Sequence, residues 1–447
     1  MIRSEHLTDS GARLSSASSP LVESFSGAST DTRKVQPGEI FFCLKGPNFD
    51  AHDFASVALE KGATGIVIEQ GREDDVTASL AESKPAWAQR MALYLCEDPL
   101  KTMQDVARLH RRDQSYTVIA VTGSNGKTSA KEMLLGMLSE LLGQSSVDAT
   151  VGNLNNHIGV PLSVLEICEK TEISIIEMGA NHINEISLLS NIAKPNYGII
   201  TNIGKAHLKG FGSIDGVIKA KGELYENIKL NNYQIFLNND DNLLKKISQN
   251  INKITYGSSG NTSGKLLDSN LYAKVLYDKT EINSKLIGDY QFNNIMLAIS
   301  IGKHFNVTTN NIKKAIESYI PTNNRSEIIK TSKNTIILDA YNANPTSMQE
   351  MIISFSRKKL KNKICILGDM FELGDYSYTS HKEIIKLVNE LNIKTYFIGK
   401  EFKKALSESF NSRKDFVEVL STKNLYNKTI LIKGSRGVEL EKLVNYL

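Results

Sequence analysis

The stretch Gly123-Ser124-Asn125-Gly126-Lys127-Thr128-Ser129 puts a flexible turn, a cation and several hydroxyls where a polyphosphate needs them. Glycines let a backbone approach a phosphate closely. Lys127 has the reach for the β and γ phosphates of a nucleotide, and the Thr128 hydroxyl suits Mg2+. The general phosphate loop spells Gly, four residues, then Gly-Lys-Ser/Thr. Here Gly126-Lys127-Thr128 is intact, but Val121 stands where the first glycine is expected. Further along, Glu177 ends the apolar run "ISIIEM", and a carboxylate at a strand end is a hard oxygen ligand for a divalent cation. His207 in "GKAHLKG" is either a metal-ligating imidazole or a satisfied histidine; the spacing leaves both open. Lys221 in "IKAKGELYE" follows Lys219 by two residues, so on a helix the two face different ways.

These residues need elements to position them. "YTVIAV" reads as a strand that delivers the chain to the glycine turn, and "SAKEMLLGMLSELLG" as a helix that starts near Lys127. The N–H groups and dipole at such a helix start converge on one anion. "ISIIEM" and "YGIITNI" are further buried strands. Before residue 115, "EIFFCLKG" and "TGIVIE" read as strands and "FASVALEKGA" as a helix that ends at Gly62. A third block from Pro321 holds "TIILDAY", "KICILGDM", "KTYFIG" and "TILIKG", each followed by a polar turn and a helical pattern. Strands alternating with helices imply parallel sheets. The expected fold class is α/β, with three α/β domains over 1–113, 114–320 and 321–447. The central one is P-loop-type with a mainly parallel sheet, and the C-terminal one is Rossmann-like. Asn344-Pro345 reads as a helix cap followed by a first-turn proline.

Composition bounds the rest. Of 447 residues, 41% are hydrophobic and 23% charged, as in a globular protein rather than a disordered or fibrous one. A formal charge of +4 is too small to argue for nucleic acid. Cys43, Cys96, Cys168 and Cys365 lie far apart with no CxxC pair, which argues against a zinc knuckle and suits a reducing compartment. The N-terminus lacks an apolar signal region, and no apolar run reaches the ~18 residues a membrane span needs. A cytoplasmic chain, acting as a monomer, is the expectation. Asn48 and Asn125 are the only asparagines before residue 150, whereas Asn, Lys and Ile abound after it. That shift falls inside the second α/β block and marks no domain boundary.

"AVTGSNGKTS" resembles the phosphate loop of the Mur ligase superfamily, in which Val121 is the ordinary residue at its position. The resemblance runs on through "STDTRKVQPGEIFFCLKGPNFDAHDF", "GNLNNHIGVPLSVLE", "IIEMGANHINEI", "TNIGKAHLKGFGSIDGVIKAKGELYENI", "LDAYNANPTSMQEM", "LGDMFELGDYSYTSHKEI" and "LIKGSRGVELEKLV", nearly the whole chain. "DAYNANP" and "GDMFELG" point within the family to the branch that joins D-alanyl-D-alanine to a UDP-N-acetylmuramoyl-tripeptide, the last cytoplasmic step of peptidoglycan precursor synthesis. The chain departs from the usual family spelling at Asn184-Glu185, at Lys209 and at Tyr290-Gln291 ahead of Asn294.

The resemblance implies an ATP-dependent, ADP-forming ligase that works through an acyl phosphate. Two anions must meet in the first step, so cations have to screen them. On that reading Lys127, Glu177, His207, Lys221 and Arg325 are catalytic. Gly123, Ser124, Asn125, Gly126, Lys127, Thr128, Ser129, Asn294, Arg325 and Asp339 hold ATP; Asn294 contacts adenine, and Asp339 holds the ribose or orients a lysine. Thr128, Glu177, His207 and Lys221 surround Mg2+, with Lys221 carboxylated by CO2 to a carbamate. The first domain would take the UDP moiety through Thr30, Asp31, Thr32, Arg33 and Lys45. Asn153, Asn155 and Asn156, crowded in one loop beside His157, suggest hydrogen bonding to sugar or peptide. The dipeptide would lie where "DAYNANP" meets "GDMFELGDYS", near Tyr341, Asn342, Asn344, Asp369 and Glu372, while Arg436 is either an anion contact or part of a plain connection. Two other functions compete. One is a sister ligase that adds a diamino acid or glutamates. The other is a P-loop switch that hydrolyses nucleotide without ligation.

Overall fold

The computed structural model describes residues 1–16, 18, 22–83, 91–269, 271–321, 324–423 and 425–447. They form two compact units. The first comprises Met1–Ala120, Leu142–Gly179 and Glu185–Tyr197, and the second Val121–Leu141, Ala180–Asn184 and Gly198–Leu447.

The first unit contains a five-stranded sheet in the order Arg13–Leu14, Ala92–Cys96, Gly65–Glu69, Ile40–Phe42, Ala28–Ser29. All its pairings are parallel except that of Arg13–Leu14. Its strands are apolar on both faces because both faces are covered. Phe41, Ile66, Ile68 and Leu93 pack with Ala55, Ala58 and Leu59 of the helix Ala55–Glu60. "EIFFCLKG" is not one strand. Ile40–Phe42 ends, and Lys45–Gly46 pairs back antiparallel with Phe49–Asp50 around Pro47-Asn48, residues that favour a turn. The unit also carries Val147–Ala149, Ile173–Glu177 and the start of Thr117–Thr122, adjacent in that order, the first pair parallel with Val147 opposite Ile173.

In the second unit, Tyr197–Ile200, Gln234–Asn238, Asn252–Gly257 and Thr262–Ser263 are neighbours, parallel from Gln234 onward. An antiparallel sheet follows, Lys265–Leu267, Tyr272–Tyr277 and Thr280–Ile287, which the sequence reading did not foresee. Its hairpin turns at Asp278-Lys279 with φ of 43° and 61°. Such a turn usually advertises itself by glycine, and here it has none. The alternating burial of both long strands was the remaining signal.

The third block forms a sheet in the order Glu327–Lys330, Thr335–Asp339, Thr429–Lys433, Lys363–Gly368, Lys394–Ile398. The last four strands are parallel and the first is an antiparallel edge. Ile336, Leu338, Ile364, Ile366, Ile430 and Ile432 make its core. Burying each such side chain contributes roughly 2 kcal/mol. The helix expected after "TILIKG" is replaced by 3-10 turns, Arg436–Val438 and Leu440–Tyr446, because Glu439 between them is left-handed at φ 57°. The fold class is thus α/β with mainly parallel sheets, as expected. No described helix is long and apolar enough to cross a membrane.

Candidate nucleotide and cation site

Strand Thr117–Thr122 leads into the glycine turn, and the helix Lys127–Leu142 begins at the lysine itself. Gly123 sits at φ 146°, and a Cβ there would stand 1.9 Å from Thr201 Oγ1, so only glycine fits. The turn is tied to the segment after strand Tyr197–Ile200. Thr201 Oγ1 donates to the Asn125 carbonyl at 2.6 Å, and the Asn125 N–H donates to Asn202 Oδ1 at 3.0 Å. Ser124 Oγ donates to the Gly204 carbonyl and accepts from its N–H, at 3.1 and 2.9 Å. Lys127 Nζ donates to the Gly123 carbonyl at 2.7 Å, which folds the ammonium over the turn it is expected to serve.

Asn294 lies close under this turn: a Cβ on Gly126 would be 2.9 Å from its Oδ1. Its Nδ2 donates to Gln291 Oε1 at 2.7 Å, so the residue at the departing family position is what orients it. Asn344 caps the helix Pro345–Arg357 through the Ser347 N–H at 2.9 Å. Its Nδ2 also donates to Asn125 Oδ1 at 2.7 Å, so the cap read from sequence is at the same time a contact to the turn. Tyr319 hydrogen-bonds Ser129.

Lys221 lies on the helix Ile214–Leu230 and is 1% exposed, whereas Lys219 faces solvent. Burial lowers Lys221 to about 7, and the positive charge of Lys127 adds to the effect. Phe211 is a shared wall: Lys221 Nζ is 5.8 Å from its ring centre, and the His207 ring meets it edge-on at 6.4 Å. His207 is left-handed at φ 52° and opens the one-turn helix Leu208–Phe211. Its Nδ1 contacts the Glu372 carboxylate, and that contact holds Glu372 below the usual carboxylate range. A histidine steadied by a carboxylate at one nitrogen is oriented to ligate at the other.

Glu177 belongs to the first unit and is 2% exposed at the end of its strand. Its N–H donates to Thr150 Oγ1 at 2.9 Å and its Oε1 accepts from Asn155 Nδ2 at 2.8 Å. Oε2 is buried with no hydrogen-bond partner among the described residues. A buried carboxylate oxygen left open is costly unless a cation takes it. Asn155 therefore orients an acid. Asn156 Oδ1 accepts from the Gly159 N–H at 2.8 Å where the helix Gly159–Glu166 begins, Asn153 is exposed, and the His157 carbonyl accepts from Gln104.

In the same unit, Arg33 grips Asp31 twice, at 2.9 and 2.8 Å, and holds its carboxyl down at about 2. The guanidinium is otherwise open to solvent. Thr30 and Thr32 are half-buried, and Lys45 is exposed on the Lys45–Asp50 hairpin.

In the third block the Arg325 guanidinium stacks 3.8 Å from the Tyr341 ring centre, with Arg436 at 5.7 Å. Asp339 pairs with buried Lys433 at 2.6 Å, and Lys433 also reaches the Asn342 carbonyl at 3.4 Å. That pair fits a lysine-orienting Asp339; Lys433 itself was missed, being one more apolar-strand lysine in the sequence. A cavity of about 700 Å3 opens at the carboxyl ends of these strands, walled by Lys209, Asp369, Phe371, Glu372, Lys400 and Arg413 among others. Tyr341 and Asn342 are not among its described walls. No group of three His, Cys, Asp or Glu gathers as a metal cage among the described residues.

The sequence matches the Mur ligase middle domain over residues 121–302 and the Mur ligase glutamate ligase domain over 324–436. It is 33% identical over 440 residues to the UDP-N-acetylmuramoyl-tripeptide–D-alanyl-D-alanine ligase of Bacillus subtilis (strain 168), covering 94% of this chain and 93% of that one. The ligase of the same description from Escherichia coli (strain K12) is 29% identical over 438 residues, 94% and 92% of the two chains. Among solved structures, MurF from Acinetobacter baumannii superposes with a TM-score of 0.85 at 27% identity, over 100% of this chain and 98% of that one. MurF ligase from Thermotoga maritima in complex with ADP superposes with a TM-score of 0.78 at 27% identity, over 94% and 96%.

Proposed function

The chain belongs to the Mur ligase family, and from that premise we infer that it joins D-alanyl-D-alanine to a UDP-N-acetylmuramoyl-tripeptide at the expense of ATP. It is an ATP-dependent, ADP-forming ligase of peptidoglycan synthesis. The observation that carries this is the likeness to ligases of that one activity along almost the full length, phosphate turn and third block alike. We place the work in the cytoplasm, where free thiols such as buried Cys43, Cys96 and Cys365 persist.

The chemistry falls to the chain's own groups as follows. Gly123 to Ser129 cradle the triphosphate, with backbone N–H groups at the start of helix Lys127–Leu142 and with Lys127 released from the Gly123 carbonyl onto the phosphates. The terminal carboxylate of the tripeptide attacks the γ-phosphorus, the bond to the β-bridging oxygen breaks, and ADP leaves. The amine of the dipeptide then attacks the acyl carbon, loses a proton, and expels phosphate. Lys127 supplies positive potential at the point where the two anions meet. Arg325, now stacked on Tyr341, is proposed to turn to the γ-phosphate, and Asn294 to contact adenine from its place by Gly126. Asp339, through Lys433, firms the loop beneath.

Mg2+ is proposed at Thr128, His207 and a carboxylated Lys221, where it would offset phosphate charge. Glu177 is carried forward as a further ligand on its own surroundings, an open buried oxygen. Carboxylation needs the neutral amine, R–NH2 + CO2 → R–NHCOO− + H+, and burial keeps Lys221 near 7, where that form is populated. The turn Thr30–Arg33 with Lys45 is proposed for the uridine diphosphate, and Asn153, Asn155 and Asn156 for the sugar-peptide. The dipeptide is proposed at the cavity of Lys209, Asp369 and Glu372, with Tyr341, Asn342 and Asn344 as further candidates from the sequence. The domain limits 1–113, 114–320 and 321–447 are kept as the proposed division.

Phosphate release separates this from a nucleotide switch. Release is expected only when ATP, the nucleotide-tripeptide and D-alanyl-D-alanine are all present. Equal release from ATP alone would remove the ligase reading.

A further inference from the structure

The loop after strand Lys363–Gly368 is pinned at consecutive residues. The Asp369 carboxylate accepts from the Glu401 and Phe402 N–H groups at 3.0 and 2.9 Å. The Met370 N–H donates to His381 Nε2 at 3.1 Å, and the Phe371 N–H to Ser435 Oγ at 3.0 Å. Glu372 comes next, left-handed at φ 63°, with its carboxylate on His207 and its carbonyl accepting from the Lys209 N–H at 3.0 Å. The whole segment walls the 700 Å3 cavity.

His381 lies on the helix Ser377–Glu390 and is fully buried, edge-on to Phe402 with ring centres 4.5 Å apart. Its Nδ1 is 2.7 Å from the Ser377 carbonyl, which can only accept. Nδ1 must therefore carry the ring proton, and Nε2 is left to accept from Met370. Both partners demand the same neutral tautomer. The charged groups that face the ring are Asp369, whose Oδ1 is 3.7 Å from Nε2, and Glu401 and Lys404 of the helix Lys400–Ala405. Burial holds His381 below the usual histidine range, so the neutral ring is the resting form.

We propose that His381 is a positioning residue for the ligation. Its Nδ1–H tautomer clamps the Met370 amide and so sets the stretch of loop that shapes the dipeptide cavity. This rests on the reading above that the cavity receives the dipeptide. A merely structural histidine would lower thermal stability and disturb all substrates alike. A positioning one affects the dipeptide selectively, because Met370, the residue clamped, is itself part of the cavity wall.

The test is steady-state kinetics with each substrate varied in turn, on the wild type, His381→Asn and His381→Gln, beside thermal melts. Gln carries an acceptor out to the Nε2 position and keeps the Met370 bond; Asn stops short and strands that N–H. His381→Asn is expected to raise KM for D-alanyl-D-alanine roughly tenfold while the other two KM values stay within about twofold, and His381→Gln is expected to recover most of the loss. An unchanged dipeptide KM in His381→Asn, or equal shifts in all three KM values, would overturn the proposal. Should His381→Asn fail to fold, the acid limb decides. Protonating Nε2 removes the acceptor, so the dipeptide KM rises with acidity more in the wild type than in His381→Gln, and matching pH profiles would overturn it. A wild type that does not ligate D-alanyl-D-alanine at all fails differently: it removes the functional reading, not the clamp.

Discussion

Lys221→Ala is expected to lose roughly 10³-fold in kcat and yet to melt no lower than the wild type. The two halves of that result come from one fact, the burial of a lysine whose nearest charged influence is another lysine. Its folded value of about 7 lies well below the ordinary lysine value of 10.5. Between those two the unfolded chain binds the extra proton, so stability rises with pH across that window and the buried ammonium costs stability below it. The cost is on the order of a few kcal/mol at neutral pH, and alanine removes it. Catalysis goes the other way, because alanine cannot become a carbamate. Formate or acetate should restore part of the lost turnover by standing in for the missing oxygens. In the wild type, turnover in CO2-depleted buffer should fall further below pH 7, where the amine is protonated and cannot carboxylate. A folded Lys221→Ala protein that no short carboxylate rescues would count against the carbamate.

Lys127→Ala is expected to be as damaging, roughly 10³-fold or more in kcat, but without rescue by carboxylates. Here the lost group acts on the phosphates. Its resting bond to the Gly123 carbonyl holds the ammonium over the turn. Folding should survive, since alanine is the best helix former and Lys127 opens a helix of sixteen residues. Lys127→Arg should remain poor as well, because a planar fork does not fit where a compact ammonium is cradled. Near-native turnover in Lys127→Ala, measured by coupled ADP release, would end the phosphate role.

The parallel strands of the third block were legible because each is a short apolar run bounded by a polar turn, and all four lie within a residue or two of their quoted strings. The antiparallel sheet between Lys265 and Ile287 was not, since Asp278-Lys279 makes its turn without glycine. The phosphate turn was legible from residue type alone. What holds it, Thr201, Asn202 and Gly204, comes from the far side of a strand–helix connection, where no local pattern marks a partner. Asn344 was legible as a cap and a substrate candidate, but not its second bond, to Asn125, which joins residues more than two hundred positions apart. His381 and Lys433 were invisible for the same reason. Each is an ordinary polar residue whose role is set by a loop or acid that the sheet brings to it.

The central claim is that this site makes a carboxylate an electrophile by phosphorylating it. Isotope transfer tests that directly. The nucleotide-tripeptide is prepared with 18O in its terminal carboxylate, ligated to D-alanyl-D-alanine with ordinary ATP, and the released phosphate is weighed by mass spectrometry. One labelled oxygen in that phosphate is the predicted result. Phosphate free of label alongside full ligation would contradict the account.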